Sequence, residues 1–172
     1  MTTLPQVADS DSPDDSTRQI STANGINKII NSYIILADQK ASFLIAAGVA
    51  APSLLLTALP HGMGFAAVVY LASTALFILS VILSMATIIP RIPMEGNGSV
   101  FWGDIATCGD LKTYQNRFDD SYVNGKLQSE YVTLNYYSAR ILRSKFRCLR
   151  FSIIAFVIGS ILGTVSTIMS RL

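Results

Sequence analysis

Five cations crowd one short stretch of the chain: Arg140, Arg143, Lys145, Arg147 and Arg150. A second charged group, Asp38 and Lys40, precedes a long uncharged run. Such residues bind rather than catalyse. Guanidinium and ammonium groups hold phosphates through charge-assisted hydrogen bonds. The basic run therefore has two uses. It can anchor the chain to lipid phosphates by snorkelling. Alternatively, with Arg91 and Arg117, it can hold a small anionic ligand such as a nucleotide phosphate. Trp102, Tyr114, Tyr131, Tyr136 and Tyr137 are the aromatics available to stack on a base, and the sequence does not choose among them.

No catalytic constellation accompanies these charges. There is no Walker A loop, GxGxxG, HExxH or GxSxG, and the one histidine, His61, stands in a turn. The expectation is a protein without catalytic residues, not an enzyme. Cys108 and Cys148 lie far apart with no CxxC pattern and no nearby His, so two free thiols are expected, with neither metal nor cofactor. A net charge of +2 is too small to point to nucleic acid.

The elements that must position the charges are membrane spans. From Ala41 to Pro90 there is no Asp, Glu, Lys or Arg. Crossing a bilayer takes about 20 apolar residues in a helix. The run is broken at Pro60-His61-Gly62, which predicts two spans, 41–59 and 63–89, joined by a short turn. A third uncharged run predicts a span over 151–170. Overall composition agrees: 14% of residues are charged, against about 25% in soluble domains. The fold class expected is an all-α membrane protein. It has three transmembrane helices, an N-terminal amphipathic helix and a helical cytoplasmic segment continuous with the third span.

Between the spans the pattern is also helical. Residues 1–22, rich in Asp, Ser and Thr, are expected to be disordered. Over 23–40, Ile26, Ile29, Ile30, Tyr33, Ile34 and Ala37 fall on one helix face, with Asn27, Lys28, Asn31 and Ser32 facing away. The segment 90–150 reads as a loop, a short helix over 111–118 and a longer helix beginning between Ser121 and Lys126. Val100-Phe101-Trp102 reads as an extended patch or interfacial anchor. Leu127, Tyr131, Leu134, Ser138, Ile141, Lys145 and Cys148 repeat at heptad spacing and predict a packing seam. Pro52 predicts a kink in the first span. Gly159 and Gly163 form a GxxxG pair, which predicts oligomer packing and hence a homo-oligomer. Nine Lys and Arg lie between Arg91 and Arg150, and the 59–63 turn has none. The positive-inside rule then places the N-terminus in the cytoplasm and the C-terminus in the periplasm, across the inner membrane.

Several short motifs stand in a particular order around the spans. Ala37-Asp38-Gln39-Lys40-Ala41-Ser42 leads into the first, and Pro90-Arg91-Ile92-Pro93 follows the second. Phe101-Trp102-Gly103-Asp104-Ile105 comes next, and Leu142-Arg143-Ser144-Lys145-Phe146-Arg147 leads toward the third. This arrangement resembles the transmembrane effector family of Pycsar antiphage defence, over about residues 25–170. The resemblance implies a ligand, cyclic UMP or cyclic CMP, made by a cyclase encoded alongside. It implies an action too: loss of inner-membrane integrity and abortive infection. It makes Asp38, Lys40, Arg91, Asp104 and Lys145 the motif positions, as nucleotide-binding or signal-coupling residues. Arg143 joins them from the basic run. A structural or scaffold subunit and a small constitutive channel are the alternatives; the partners expected are lipid, the cyclic nucleotide and further copies of the chain.

Overall fold

The computed structural model describes residues 13–55, 64–89 and 98–170. Every regular element among them is a helix: α1 (Pro13–Leu55), α2 (Phe65–Ile88), α3 (Trp102–Ala106), α4 (Leu111–Val123) and α5 (Leu127–Met169). Three of them, α1, α2 and α5, are long and apolar enough to cross a membrane. The chain forms two compact units. The first takes the residues up to Asn31 and Ile92–Ala139, the second Ser32–Arg91 and Arg140–Leu172. The helices α1 and α5 each contribute to both.

The second unit is built inside out by the standards of a water-soluble bundle. The buried residues of α2 are Ser73, Phe77, Ser80, Ser84 and Thr87. Its Phe65, Val68, Leu71, Ile78 and Ile82 face outward. Hydrocarbon gives apolar side chains no reason to cluster. Small residues at the interface let helices approach closely and gain dispersion contacts, while hydroxyls find partners across it. The pairing of α2 with α5 follows this rule one heptad at a time. Ser166 Oγ donates to the Ala66 carbonyl at 2.8 Å, and Ser73 Oγ to the Gly159 carbonyl at 2.7 Å. Ser80 Oγ donates to the Ser152 carbonyl at 3.0 Å, and Ser152 Oγ returns a bond to the Ser80 carbonyl at 2.8 Å. The Ser84 hydroxyl lies 2.6 Å from that of Ser152.

Glycines set how near the helices come. A Cβ on Gly48 of α1 would lie 2.7 Å from Val81 Cγ2. One on Gly163 would meet Leu55 Cδ1 at 2.7 Å, and one on Gly159 the Ser73 carbonyl at 3.3 Å. The GxxxG pair expected to join copies of the chain is thus taken up by α1 and α2 of the same chain. Ala37, Ala41, Leu44 and Leu149 form a small apolar cluster with Phe156 packed on it. Phe156 also meets Phe77 edge-on at 5.4 Å.

The first unit packs α3 and α4 with the early turns of α1 and α5. Asp110 caps α4, accepting from the Thr113 backbone N–H at 2.7 Å. The helix stops at Gly125, whose φ of 64° is the left-handed conformation that glycine takes without strain. Lys126 N–H then bonds back to the Ser121 carbonyl at 2.8 Å. Ala23, Leu127, Ser121 and Ser99 are the buried contacts that close the unit.

Five expectations change. The helix starts at Pro13 rather than after residue 22; Asp15 puts a carboxylate in its first turn, where the helix dipole favours one. It then runs unbroken through Asp38–Lys40 and past Pro52, so 23–40 and the first span are one element. Trp102 opens α3 instead of ending an extended patch, and α4 reaches Val123 rather than Phe118. The inward stripe of α1 is Ala23, Ala37, Ala41, Leu44 and Gly48 with Ile30 and Ile34 half-buried, so the expected face keeps Ile30, Ile34 and Ala37 and loses Ile26, Ile29 and Tyr33, which are exposed. Small residues predominate on that face, where helices approach closely. The 1–12 tail, the turn bearing His61 and the Pro90–Pro93 motif lie outside the described residues.

Candidate functional site

The motif positions do not converge on one pocket. Asp38 and Lys145 do meet, in the second unit, where Lys145 Nζ donates to Asp38 Oδ1 at 2.5 Å. The Lys145 side chain is only 7% exposed and that of Asp38 34%. Each is the other's counter-charge, at the level of the Ala37–Leu149 cluster. Lys40 and Arg143 are exposed on the same unit. Asp104 is buried in the first unit, where its carboxylate accepts from the Gly98 N–H at 2.9 Å. A Cβ at Gly98 would come within 2.6 Å of that carboxylate, so any other residue there makes the Asp104 side chain shift. Arg91 lies outside the described residues.

Asp104 belongs to a polar latch whose centre is Glu130, a residue that sequence reasoning missed. Glu130 Oε2 accepts from both the N–H and the hydroxyl of Ser99, each at 2.7 Å. Its Oε1 accepts from the Ser121 hydroxyl at 2.7 Å. One carboxylate so ties residues 98–100, α4 and α5 together. The available signal was that Glu130 is the sole acidic residue of α5. Desolvation pushes its pKa up, but the Ser99 and Ser121 hydroxyls and the Ser99 and Val100 N–H groups outweigh it and hold the carboxyl below its ordinary 4.5.

A carboxylate depressed in the folded state stabilises at pH above the unfolded value and loses that contribution as pH falls through the folded one. Acidification below about 4.5 is therefore expected to release the 98–100 segment. Glu130→Gln is expected to release it at neutral pH. Amide hydrogen exchange at Ser99 and Val100 measures both; protection unchanged by either treatment rules the latch out.

Among the described residues, three buried side-chain atoms of the first unit have no hydrogen-bond partner: Asn27 Nδ2, Arg117 Nη1 and Asn135 Oδ1. They come from α1, α4 and α5. Asn135 anchors itself by donating from Nδ2 to the Ala23 carbonyl at 2.9 Å, leaving its oxygen over. The same unit carries a groove of about 460 Å³ bordered by Arg18, Thr22, Ile26, Gln128, Val132 and Asn135. Of the aromatics available for stacking, Tyr114 packs on Phe118 and Tyr136 on Tyr137. Trp102 leans on Phe101 and is 61% exposed.

Among the described residues no group of His, Cys, Asp and Glu is placed to hold a metal. Cys108 and Cys148 are free thiols. No curated protein and no solved structure matches the chain. A family model does, over residues 22–170, from the early turns of α1 to the end of α5. With three helices able to span a bilayer and the Asp38, Asp104 and Lys145 motifs each placed in that frame, the chain belongs to the Pycsar effector protein domain family.

Proposed function

We propose that this chain is the membrane-damaging effector of a Pycsar antiphage system. A cyclic pyrimidine mononucleotide, cyclic UMP or cyclic CMP, is made on infection by a cyclase encoded beside it. The first unit receives that nucleotide in the cytoplasm. The second unit responds by breaching the inner membrane, and the cell dies before phage matures. No bond is made or broken by the effector itself; the output is mechanical. The N-terminus is cytoplasmic and the C-terminus periplasmic, from the Lys and Arg distribution.

The observation that carries the reading is the set of unpartnered atoms on Asn27, Arg117 and Asn135. A buried polar group without a partner costs about 1–3 kcal/mol. Two donors and an acceptor left over in this way support a recognition role for the first unit. The Arg117 guanidinium matches a cyclic phosphate, and an amide donor and acceptor match the edge of a pyrimidine. The other motif positions then have supporting roles: Asp104 shapes the first unit and the Asp38–Lys145 pair shapes the second. The sequence of α1 and of α5 runs through both units, so the two helices are the covalent route by which ordering of their early turns would reach the second unit. Assembly of several copies uses faces other than Gly159 and Gly163, with the exposed Ile26 and Ile29 the leading stripe.

Co-expression with the neighbouring cyclase is expected to depolarise cells, and a catalytically dead cyclase to abolish the effect. Depolarisation that persists with the dead cyclase refutes the proposal. With purified chain, cyclic UMP or cyclic CMP is expected to raise the unfolding temperature. Arg117→Gln removes that shift by about tenfold weaker binding or more, the loss of one charge-assisted phosphate contact. Asn135→Ala weakens it less.

A further inference from the structure

The second unit carries, on its outward surface, a groove of about 330 Å³ bordered by Leu36, Gln39, Lys40, Phe43, Leu44 and Ile153. Its walls are apolar except at one level, where Lys40 and Gln39 stand. Phe43 is 72% exposed, second among the large apolar side chains of α1 to Leu54 at 74%. Leu44 is buried and forms the floor. Beyond Lys40 toward the C-terminus of α1 there is no charge. On α5, Arg150 is exposed one helical turn before Ile153, and Arg143 is exposed two turns before Arg150. Neither Lys40 nor Arg150 has an ion-pair partner among the described residues.

This is the charge order of a phospholipid: one cation, Lys40, beside Gln39 in an otherwise apolar trough, with Arg150 one helical turn before Ile153. We propose that the groove is a specific site for an anionic phospholipid of the surrounding bilayer. Its phosphate is held by Lys40 and Arg150, with Gln39 donating a hydrogen bond. One acyl chain lies over Leu44 between Phe43 and Ile153. Charge complementarity commits the site to an anionic headgroup, because a zwitterionic lipid brings its own cation to the Lys40 ammonium already there. The acyl trough commits it to a lipid rather than a free phosphate. The site assigns Lys40 a role apart from its paired neighbour Asp38, and it ties the stability of the bundle to the lipid around it.

The test uses the full chain purified in detergent and read by thermal unfolding and by native mass spectrometry. Phosphatidylglycerol is expected to raise the unfolding temperature saturably and to remain bound as one molecule per chain. Phosphatidylcholine and sn-glycerol phosphate are expected to do neither. Lys40→Gln and Arg150→Gln, both at exposed positions, leave the lipid-free unfolding temperature unchanged and weaken phosphatidylglycerol about fivefold each. Phe43→Ala, which opens the trough, also weakens it. Equal shifts with phosphatidylcholine mean unspecific coating and overturn the proposal. A shift from glycerol phosphate alone means an anion site without the trough and overturns it too, as does undiminished binding in Lys40→Gln and Arg150→Gln.

Discussion

Asp38→Ala is expected to cost the fold about 3 kcal/mol, and Lys145→Met less than about half of that. The asymmetry comes from burial. Removing the carboxylate leaves an ammonium group in a side chain only 7% exposed, beside Ala37, Ala41 and Leu149. Water cannot reach it well, so it is left as a stranded charge. Removing the ammonium leaves Asp38, 34% exposed, which can turn to solvent. The double variant Asp38→Ala with Lys145→Met is expected to fall close to the wild type, because paired removal leaves no orphan charge. Chemical or thermal unfolding in detergent measures all three. If Asp38→Ala is no costlier than Lys145→Met, Lys145 is better solvated than the structure implies. The same measurement separates structure from ligand binding. Charge reversal at Lys145 destroys the pair and lowers stability, so a lost cellular response there says nothing about nucleotide. Arg143→Glu, at an exposed position, stays within about 0.5 kcal/mol, and a lost response there does bear on function.

How far the sequence reaches is visible along α5. The heptad spacing from Leu127 to Cys148 is legible, and Leu127, Ser138 and Lys145 are indeed buried. The repeat does not stop at the membrane. Ser138, Lys145, Ser152, Gly159 and Ser166 recur at the same interval and are all inward. A reading that marks seams by hydrophobicity loses this one at Cys148, because in hydrocarbon the seam is marked by smallness. The expected inward face of α1 is only half right: Ala37 is buried and Ile30 and Ile34 are half-buried, while Ile26, Ile29 and Tyr33 are exposed and Ala41 continues the stripe in the second unit. The spans themselves are plain, since a bilayer's length of chain without a charge is what crossing hydrocarbon demands. The candidate site is the least legible part. Asp38 and Lys145 lie far apart in sequence, and spacing gives no reason to pair them. Glu130, Asn27 and Asn135 carry no motif; what distinguishes them is a tertiary fact, the presence or absence of a hydrogen-bond partner.

Ser152→Leu is expected to be among the most damaging substitutions in the second unit, at roughly 3 kcal/mol or more, while Ser152→Ala costs about 1 kcal/mol or less. Ser152 is fully buried where Ser80 and Ser84 converge on it. Hydrogen bonds between membrane helices contribute on average only about 0.6 kcal/mol each, so deleting one hydroxyl is a small loss. Forcing a leucine's bulk into the same space is not. Overpacking a tight interface typically costs about 1–3 kcal/mol, and the leucine would also take the hydroxyl partner of Ser84 away in a hydrocarbon setting. Gly159→Leu is expected to rank beside it, because the Ser73 carbonyl, a backbone atom that cannot swing aside, already stands 3.3 Å from where a Cβ would be. Neither change alters a charge or touches the first unit, so the nucleotide binding proposed there should survive while the proposed membrane response changes. Unfolding in detergent gives the ranking. Should Ser152→Ala prove as costly as Ser152→Leu, the seam is held by its hydroxyls rather than by the narrowness they permit, and the inside-out account of α2 and α5 has to be rebuilt around hydrogen bonding.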